Sequence, residues 1–232
     1  MPQTLSVLVP VYNERATIER LLDRVVAVET GFTLEVLVGD DGSTDGTRDI
    51  LSRLSLPRVT VFFMEKNAGR GAVLKHLWTR ATGDIYVHQD ADLEYDPQDY
   101  RVLLGPLVDG SADVVYGSRF KGSIQKMRWI NRVGNLTVTA AARALYGVHV
   151  SDLMTCYKMY RASLVRDLRI RANGFDFEAE FTARLAQRGA QFAEVPVNFK
   201  GRTLAEGKKI HPWDAVRVMR ELMRCKMAGE GA

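Results

Sequence analysis

Leu34-Glu35-Val36-Leu37-Val38-Gly39-Asp40-Asp41-Gly42-Ser43-Thr44-Asp45 joins a β-rich apolar run to a loop crowded with carboxylates. The run reads as a buried strand. The loop then sits at the strand's C-terminal end, where an open α/β sheet binds its ligand. The same grammar returns about fifty residues later: Asp84-Ile85-Tyr86-Val87-His88 is followed by Asp90-Ala91-Asp92-Leu93-Glu94. Carboxylates massed at one sheet edge repel one another. A bound cation, or a ligand rich in donors, offsets that repulsion.

The neighbouring segments extend the pattern. Leu5–Val11 is a further apolar run, and Asn13-Glu14 opens a helix over 14–29 with Ile18, Leu21, Leu22, Val25 and Val26 on one face. Ser43 and Asp45 are good N-cap residues for a helix ending at Leu54. Val59–Phe63 reads as a strand, 69–81 as a helix and Asp84–His88 as a strand. This alternation predicts an α/β fold with parallel pairing and right-handed crossovers. Farther on, Asp99–Val108 reads as a helix, Ala112–Tyr116 as a strand and Met127–Leu145 as a long amphipathic helix. Tyr157–Tyr160 reads as a strand, Phe177–Arg188 as a helix and Phe192–Phe199 as a strand. A basic loop over 201–211 leads to Pro212, which starts a last helix to Met227.

At 232 residues the chain can bury one large core. We read 1–211 as the main domain and 212–232 as an amphipathic helix and tail. Apolar content of 46% and charged content of 26% are those of an ordinary soluble protein. No apolar run reaches the roughly 20 residues that span a bilayer. The start Met1-Pro2-Gln3-Thr4 has no basic, apolar leader pattern. A cytoplasmic protein is therefore expected. Cys156 and Cys225 stand alone, so neither a disulfide framework nor a zinc site is expected.

The net charge of +4 conceals two halves of opposite sign. Residues 1–116 carry 11 Lys/Arg and 18 Asp/Glu, whereas 117–232 carry 21 and 10. An acidic half beside a basic half suits a phosphorylated ligand held between them. Zinc-finger, RNA-recognition and basic-zipper patterns are missing from the sequence, so nucleic acid is not an expected partner.

Asp90-x-Asp92, on a turn after a strand, can direct both carboxylates at one hard cation such as Mg²⁺ or Mn²⁺. Glu94 could add a third oxygen. A solvated polar turn would contain the same residues, and the preceding strand and earlier acidic loop favour the metal. Asp40-Asp41 occupies a position where a carboxylate can meet the N–H edge of a base. We expect Asp40 to be the functional member and the residues after it to shape the turn. His88 is expected to be packed, and His211 to be incidental. Arg70 and Lys75 flank a helix start, where they could touch phosphate; a solvated face is the favoured reading.

Several segments then form an ordered set: Val9-Pro10-Val11-Tyr12-Asn13-Glu14, Asp40 to Thr47, Asn67-x-Gly69-x-Gly71, Asp90-Ala91-Asp92-Leu93 and Gly117-Ser118-Arg119. The set resembles the family 2 glycosyltransferases with the GT-A fold, over residues 5–220. Within them it is most similar to the dolichyl- and polyprenyl-phosphate sugar synthases. Glu194-Val195-Pro196-x-x-Phe199-x-x-Arg202, with Lys208 six residues on, carries that narrower likeness.

The resemblance implies a Rossmann-like, mostly parallel central sheet flanked by helices, with the C-terminal amphipathic helix appended. It implies that Pro10, Tyr12, Glu14 and Asp40 line the base and ribose. Asn13, Asp41, Asp90 and Ala91 belong to the same nucleotide-binding set. Asp90 and Asp92, with Glu94, would hold Mg²⁺ or Mn²⁺ against the diphosphate, although the family often has Gln or Ser where Glu94 stands. Arg119, Arg132, Arg202 and Lys208 would gather the acceptor phosphate and donor diphosphate and, with Asp92, form the catalytic set. The family's Arg-x-x-Gly-x-Ser-Lys pattern here reads Arg202-Thr203-Leu204-Ala205-Glu206-Gly207-Lys208, which keeps the cations and changes the residues between them.

The implied reaction moves a hexose, with mannose favoured, from a nucleoside-diphosphate sugar to a polyprenyl phosphate, inverting the anomeric carbon. GDP-mannose is the favoured donor and a UDP-sugar the alternative. A lipid phosphate is already anionic and needs no general base. A hydroxyl on a soluble glycan or small molecule would need one, and Asp152, Glu178 and Glu180 are the candidates. Of these, Glu178 is expected to be an ordinary surface or capping charge. A non-catalytic nucleotide-sugar-binding protein is the third reading, and the intact Asp90-x-Asp92 argues against it. Related enzymes often carry membrane-spanning helices. This chain instead offers two helices with interleaved apolar and basic residues, suited to the cytoplasmic surface of a membrane or to a membrane-anchored subunit.

Overall fold

The computed structural model describes residues 3–127, 129–202 and 213–228. Strands β1 (Thr4–Val11), β2 (Thr33–Asp40), β3 (Val59–Phe63) and β4 (Ile85–His88) are separated by α1 (Ile18–Val26), α2 (Thr47–Arg53) and α3 (Arg70–Trp78). Then come α4 (Tyr100–Val108), β5 (Val114–Ser118), β6 (Ile124–Gln125), α5 (Trp129–Tyr146) and β7 (Lys158–Arg161). The chain continues through α6 (Phe177–Gln187), β8 (Phe192–Pro196), β9 (Phe199–Lys200) and α7 (Trp213–Ala228).

Among the described residues the main sheet has seven strands in the order β3-β2-β1-β4-β7-β5-β8. All pairings are parallel except those of β7, which runs antiparallel to both β4 and β5. The expected mostly parallel α/β sheet is therefore present. The chain lays β2 and β3 on one side of β1 and then β4 on the other, so a crevice opens beyond the C-terminal ends of β1 and β4.

The apolar periodicity explains the layers. Leu5, Val7, Val9 and Val11 of β1 join Ile18, Leu21, Leu22 and Val25 of α1 and Leu103, Leu104 and Leu107 of α4 in one core. Leu8 points the other way, into a core shared with Val73, Leu74 and Leu77 of α3 and Phe177, Phe181 and Leu185 of α6. Strands covered on both faces read as continuous apolar runs, as the first two strands do. A third core joins Val138 and Ala142 of α5, Ala179 and Ala183 of α6, and Val218, Leu222 and Cys225 of α7.

Some boundaries differ from the sequence reading. The first helix begins at Ile18, four residues late. Asn13 takes a left-handed φ of 53°, and its N–H and that of Glu14 donate to Ser43 Oγ and Thr47 Oγ1. Those bonds tie the first loop to the second and delay the helix. Ser43 is thus a link between loops rather than a cap. The second helix starts at Thr47, after Gly46 with φ 97°. Asp45 keeps part of its expected role, accepting from the Thr47 N–H at 3.0 Å. The expected strand 192–199 breaks after Pro196, and β9 leaves to pair with β6.

Gly69 shows why the third loop is spelled with glycines. Its φ is +95°, and an added Cβ would lie 2.4 Å from the Asn173 carbonyl oxygen. Gly69→Ala should cost about 2 kcal/mol through strain and collision. A thermal melt several degrees below wild type is the expected reading; an unchanged melt would mean that the loop yields freely.

Candidate functional site

The crevice holds a cavity of about 330 Å³. Pro10 is the penultimate residue of β1 and Tyr12 lies just beyond it, Asp41 follows β2, and Asp90, Ala91 and Asp92 follow β4. Glu14, Asn67, Gly69, Arg70, Arg119, Cys156, Phe175 and Arg202 complete much of the wall. Residues from distant parts of the chain meet here because parallel strands deliver their C-terminal ends to one edge.

Of the two adjacent aspartates, Asp41 and not Asp40 lines the cavity. Asp41 accepts from Ala68 N–H at 2.7 Å and Gly69 N–H at 2.9 Å. Burial raises its pKa, against the lowering effect of those two donors. Asp40 is fully buried, accepts from Ser43 N–H at 3.3 Å, and leaves Oδ1 without a protein donor. Asn13 does not line the cavity. Its Oδ1 accepts from Thr44 N–H at 2.8 Å and so holds the first two loops together.

The Asp90–Glu94 turn is shaped by Leu93, with φ 61°, and by the Glu94 N–H donating to Asp92 Oδ1 at 3.1 Å. Arg70 Nε donates to Asp90 Oδ1 at 2.9 Å. Arg202 donates to Asp92 Oδ2 at 2.9 Å and to both Glu14 oxygens at 2.9 and 3.1 Å. Strand β9 delivers Arg202: Lys200 N–H donates to Glu94 O, Gly201 N–H to Gln125 O, and Arg202 N–H to Glu94 Oε1. The basic segment that follows, with Lys208 and His211, lies outside the described residues.

Carboxylates crowd this wall: Glu14, Asp90, Asp92 and Glu94 gather around Arg70 and Arg202. Burial, then the nearby charges of Asp90 and Glu94, push the Asp92 carboxyl up to about 7, with Arg202 opposing. The donor set fits a hard cation on these grounds. Asp90, Asp92 and Glu94 do not form a closed three-ligand cage. Among the described residues the trio of ligand atoms within 4.8 Å is Glu180, Glu221 and Cys225, and Arg224 already bridges its two carboxylates. Mg²⁺ or Mn²⁺ on Asp90 and Asp92 would complete its shell with water and diphosphate oxygens.

Arg119, from the end of β5, occupies another part of the wall. Its Nε and Nη2 donate to the two oxygens of Asp152, both at 2.7 Å, and Asn135 of α5 donates to the same carboxylate at 2.5 Å. Burial alone would raise the Asp152 pKa; the Arg119 charge and these donors bring it below the usual range. Arg132 does not line the cavity. It is exposed, with its guanidinium 5.6 Å over the Phe120 ring.

Two assignments are corrected. Arg70 is no solvated residue: it is largely buried and spans Asp90 and Glu178. Glu178 is no surface charge: it is fully buried, between Arg70 and Lys158. Lys158, the one charge in the run Tyr157–Tyr160, was the signal, because a buried charge requires a partner; Glu178, flanked by Asp176 and Glu180, did not stand out. Lys75 also turns inward, donating to the carbonyls of Ile170 and Ala172 and to Asn173 Oδ1. His88 is packed as expected, with Nε2 2.7 Å from Tyr160 Oη.

The sequence matches the family described as glycosyl transferase family 2 over residues 6–169. It is 31% identical over 217 residues to a polyprenol monophosphomannose synthase of Mycolicibacterium smegmatis, covering 89% of this chain and 81% of that one. It is also 31% identical over 219 residues to an undecaprenyl-phosphate mannosyltransferase of Micrococcus luteus, covering 87% and 85%. In fold it is similar to glucosyl-3-phosphoglycerate synthase of Mycobacterium tuberculosis, solved with Mn²⁺, UDP and glucosyl-3-phosphoglycerate. That match has a TM-score of 0.75 and 24% identity, over 97% of this chain and 80% of the other. With a GT-A fold, carboxylates gathered at its switch point and a family match spanning most of its sheet, this chain belongs to glycosyl transferase family 2 and is a glycosyltransferase.

Proposed function

We propose that the protein is a metal-dependent, inverting hexosyltransferase that moves mannose from GDP-mannose to a polyprenyl phosphate at the cytoplasmic face of a membrane. The observation that carries this reading is the state of the three carboxylates that could have served a hydroxyl acceptor as base. Asp152 is clasped by Arg119. Glu178 is held between Arg70 and Lys158. Glu180 accepts from the N–H groups of Arg171 and Ala172 and pairs with Arg224. An acceptor that arrives already ionised needs none of them. The two mannosyl-transferring relatives support the same substrate class.

The residues divide the work by charge. Departure of the sugar leaves growing negative charge on the diphosphate, and Arg70 and Arg202 at the wall meet it at little reorganisation cost. A divalent ion on Asp90 and Asp92, when bound, supplies further Lewis-acid neutralisation of that leaving group. Arg119, held in place by Asp152, screens the acceptor phosphate from the diphosphate. Attack from the opposite face inverts the anomeric carbon. Asp41 and Tyr12 face the nucleotide end, where a carboxylate suits the N–H edge of guanine and equally that of uracil.

No described helix is long and apolar enough to cross a membrane. Helix α5 exposes Trp129, Val133 and Leu136, and α7 exposes Val216, Met223 and Met227. Arg132, Arg143, Arg217 and Arg220 lie on the same two helices. Apolar and basic residues so mixed suit the interface of an anionic bilayer or a membrane-anchored subunit.

The test supplies purified protein with Mn²⁺ or Mg²⁺ and labelled GDP- and UDP-sugars. The acceptor is a short polyprenyl phosphate or the same polyprenol without its phosphate. Organic-phase label from GDP-mannose with the phosphate alone is the expected result. Label on the free alcohol, or transfer without a divalent ion, would overturn the reading.

A further inference from the structure

Behind the cavity wall, Lys158 and Glu178 form a buried pair that the reaction itself does not use, and a line of charges runs from it to the wall. Lys158 of β7 is fully buried, and its Nζ donates to Glu178 of α6, to Leu153 O at 3.0 Å and to Thr155 O at 2.6 Å. Glu178, also fully buried, spends its other oxygen on Arg70 Nη1. Arg70 in turn donates from Nε to Asp90 Oδ1. The order is cation, anion, cation, anion, and it ends on one of the two carboxylates of Asp90-x-Asp92. Glu178 does not line the cavity, whereas Arg70 and Asp90 do.

We propose that Glu178 is a positioning residue that sets the affinity of Asp90-x-Asp92 for a divalent cation by dividing the charge of Arg70. This rests on the metal-binding reading of the two aspartates. With Glu178 in place, Arg70 is shared between two carboxylates, and Asp90 keeps negative charge available for a metal. Without it, all of Arg70's charge falls on Asp90, and Lys158 adds an uncompensated positive charge nearby. In a buried setting such charges are weakly screened and act on one another strongly. Lys158 also holds the turn before Cys156, so the same carboxylate braces two parts of the wall.

The two effects differ in sign, which makes the inference testable without turnover. Glu178→Gln in the full chain should weaken binding of Mn²⁺ alone by about tenfold or more, the range in which groups behind metal ligands act. Binding of GDP without metal should be unchanged or tighter, because the wall has become more positive. The double variant E178Q/K158M removes one charge of each sign and should return Mn²⁺ affinity toward wild type. Mn²⁺ is read by electron paramagnetic resonance of the free ion, and GDP by calorimetry in chelator. Equal weakening of both ligands, or a double variant no better than the single, would mean a purely structural role and overturn the inference. Unchanged Mn²⁺ affinity would overturn it too. Wild-type protein that binds Mn²⁺ no better than Asp90→Asn would overturn the metal reading itself, and the inference with it.

Discussion

Asp92→Asn should lower sugar transfer by about a thousandfold, the loss typical when one preorganised charge-stabilising group is removed. The substitution keeps the side chain's shape, and the Glu94 N–H still has an oxygen to donate to. What disappears is half of the Asp90-x-Asp92 charge. The ground-state fold should not suffer. Asp92 is pushed up to about 7 by burial and by its acidic neighbours, so in metal-free protein its negative charge is disfavoured in the fold. Arg202 retains both oxygens of Glu14. With chelator present, the Asn variant should therefore melt no lower than wild type. Transfer within tenfold of wild type would remove Asp92 from the machinery. A large fall in melting temperature would show that its charge supports the fold instead.

The second large effect is on stability. Arg119→Ala strips Asp152 of both guanidinium bonds and leaves a fully buried carboxylate with Asn135 as its remaining side-chain donor. Breaking such a pair costs about 3–5 kcal/mol, because the surviving charge stays buried. The melting temperature should drop by about 10 °C for a domain of this size. Replacing both members, Arg119→Met with Asp152→Leu, should recover much of the loss, since no charge is then stranded. Transfer should stay absent in the double variant, because Arg119 lines the cavity and nothing else on β5 replaces its charge. Recovery of activity together with stability would place Arg119 outside the reaction.

The division between legible and illegible residues follows from how far apart the partners lie. Apolar runs predicted β1 to β4; β1, β2 and β4 are buried on both faces, which leaves a local signature, and acidic loops follow β2 and β4. The Asp90–Glu94 turn was readable for the same reason: the strand, the turn and both carboxylates are contiguous. The choice between Asp40 and Asp41 was not, since adjacent strand-end residues point opposite ways and the loop at Ala68 and Gly69 decides which is held at the cavity. Arg132 has the charge expected of a phosphate ligand, but its place on α5 sets it over Phe120.

The α/β alternation, the family and the acidic edge are written in short-range pattern. Which charges face one another follows from packing. Arg70 and Glu178 stand 108 positions apart, as do Glu94 and the Arg202 N–H that it binds. Their partnership arises because α3, α6 and β9 pack around one sheet edge, where a buried charge is tolerated only beside its opposite.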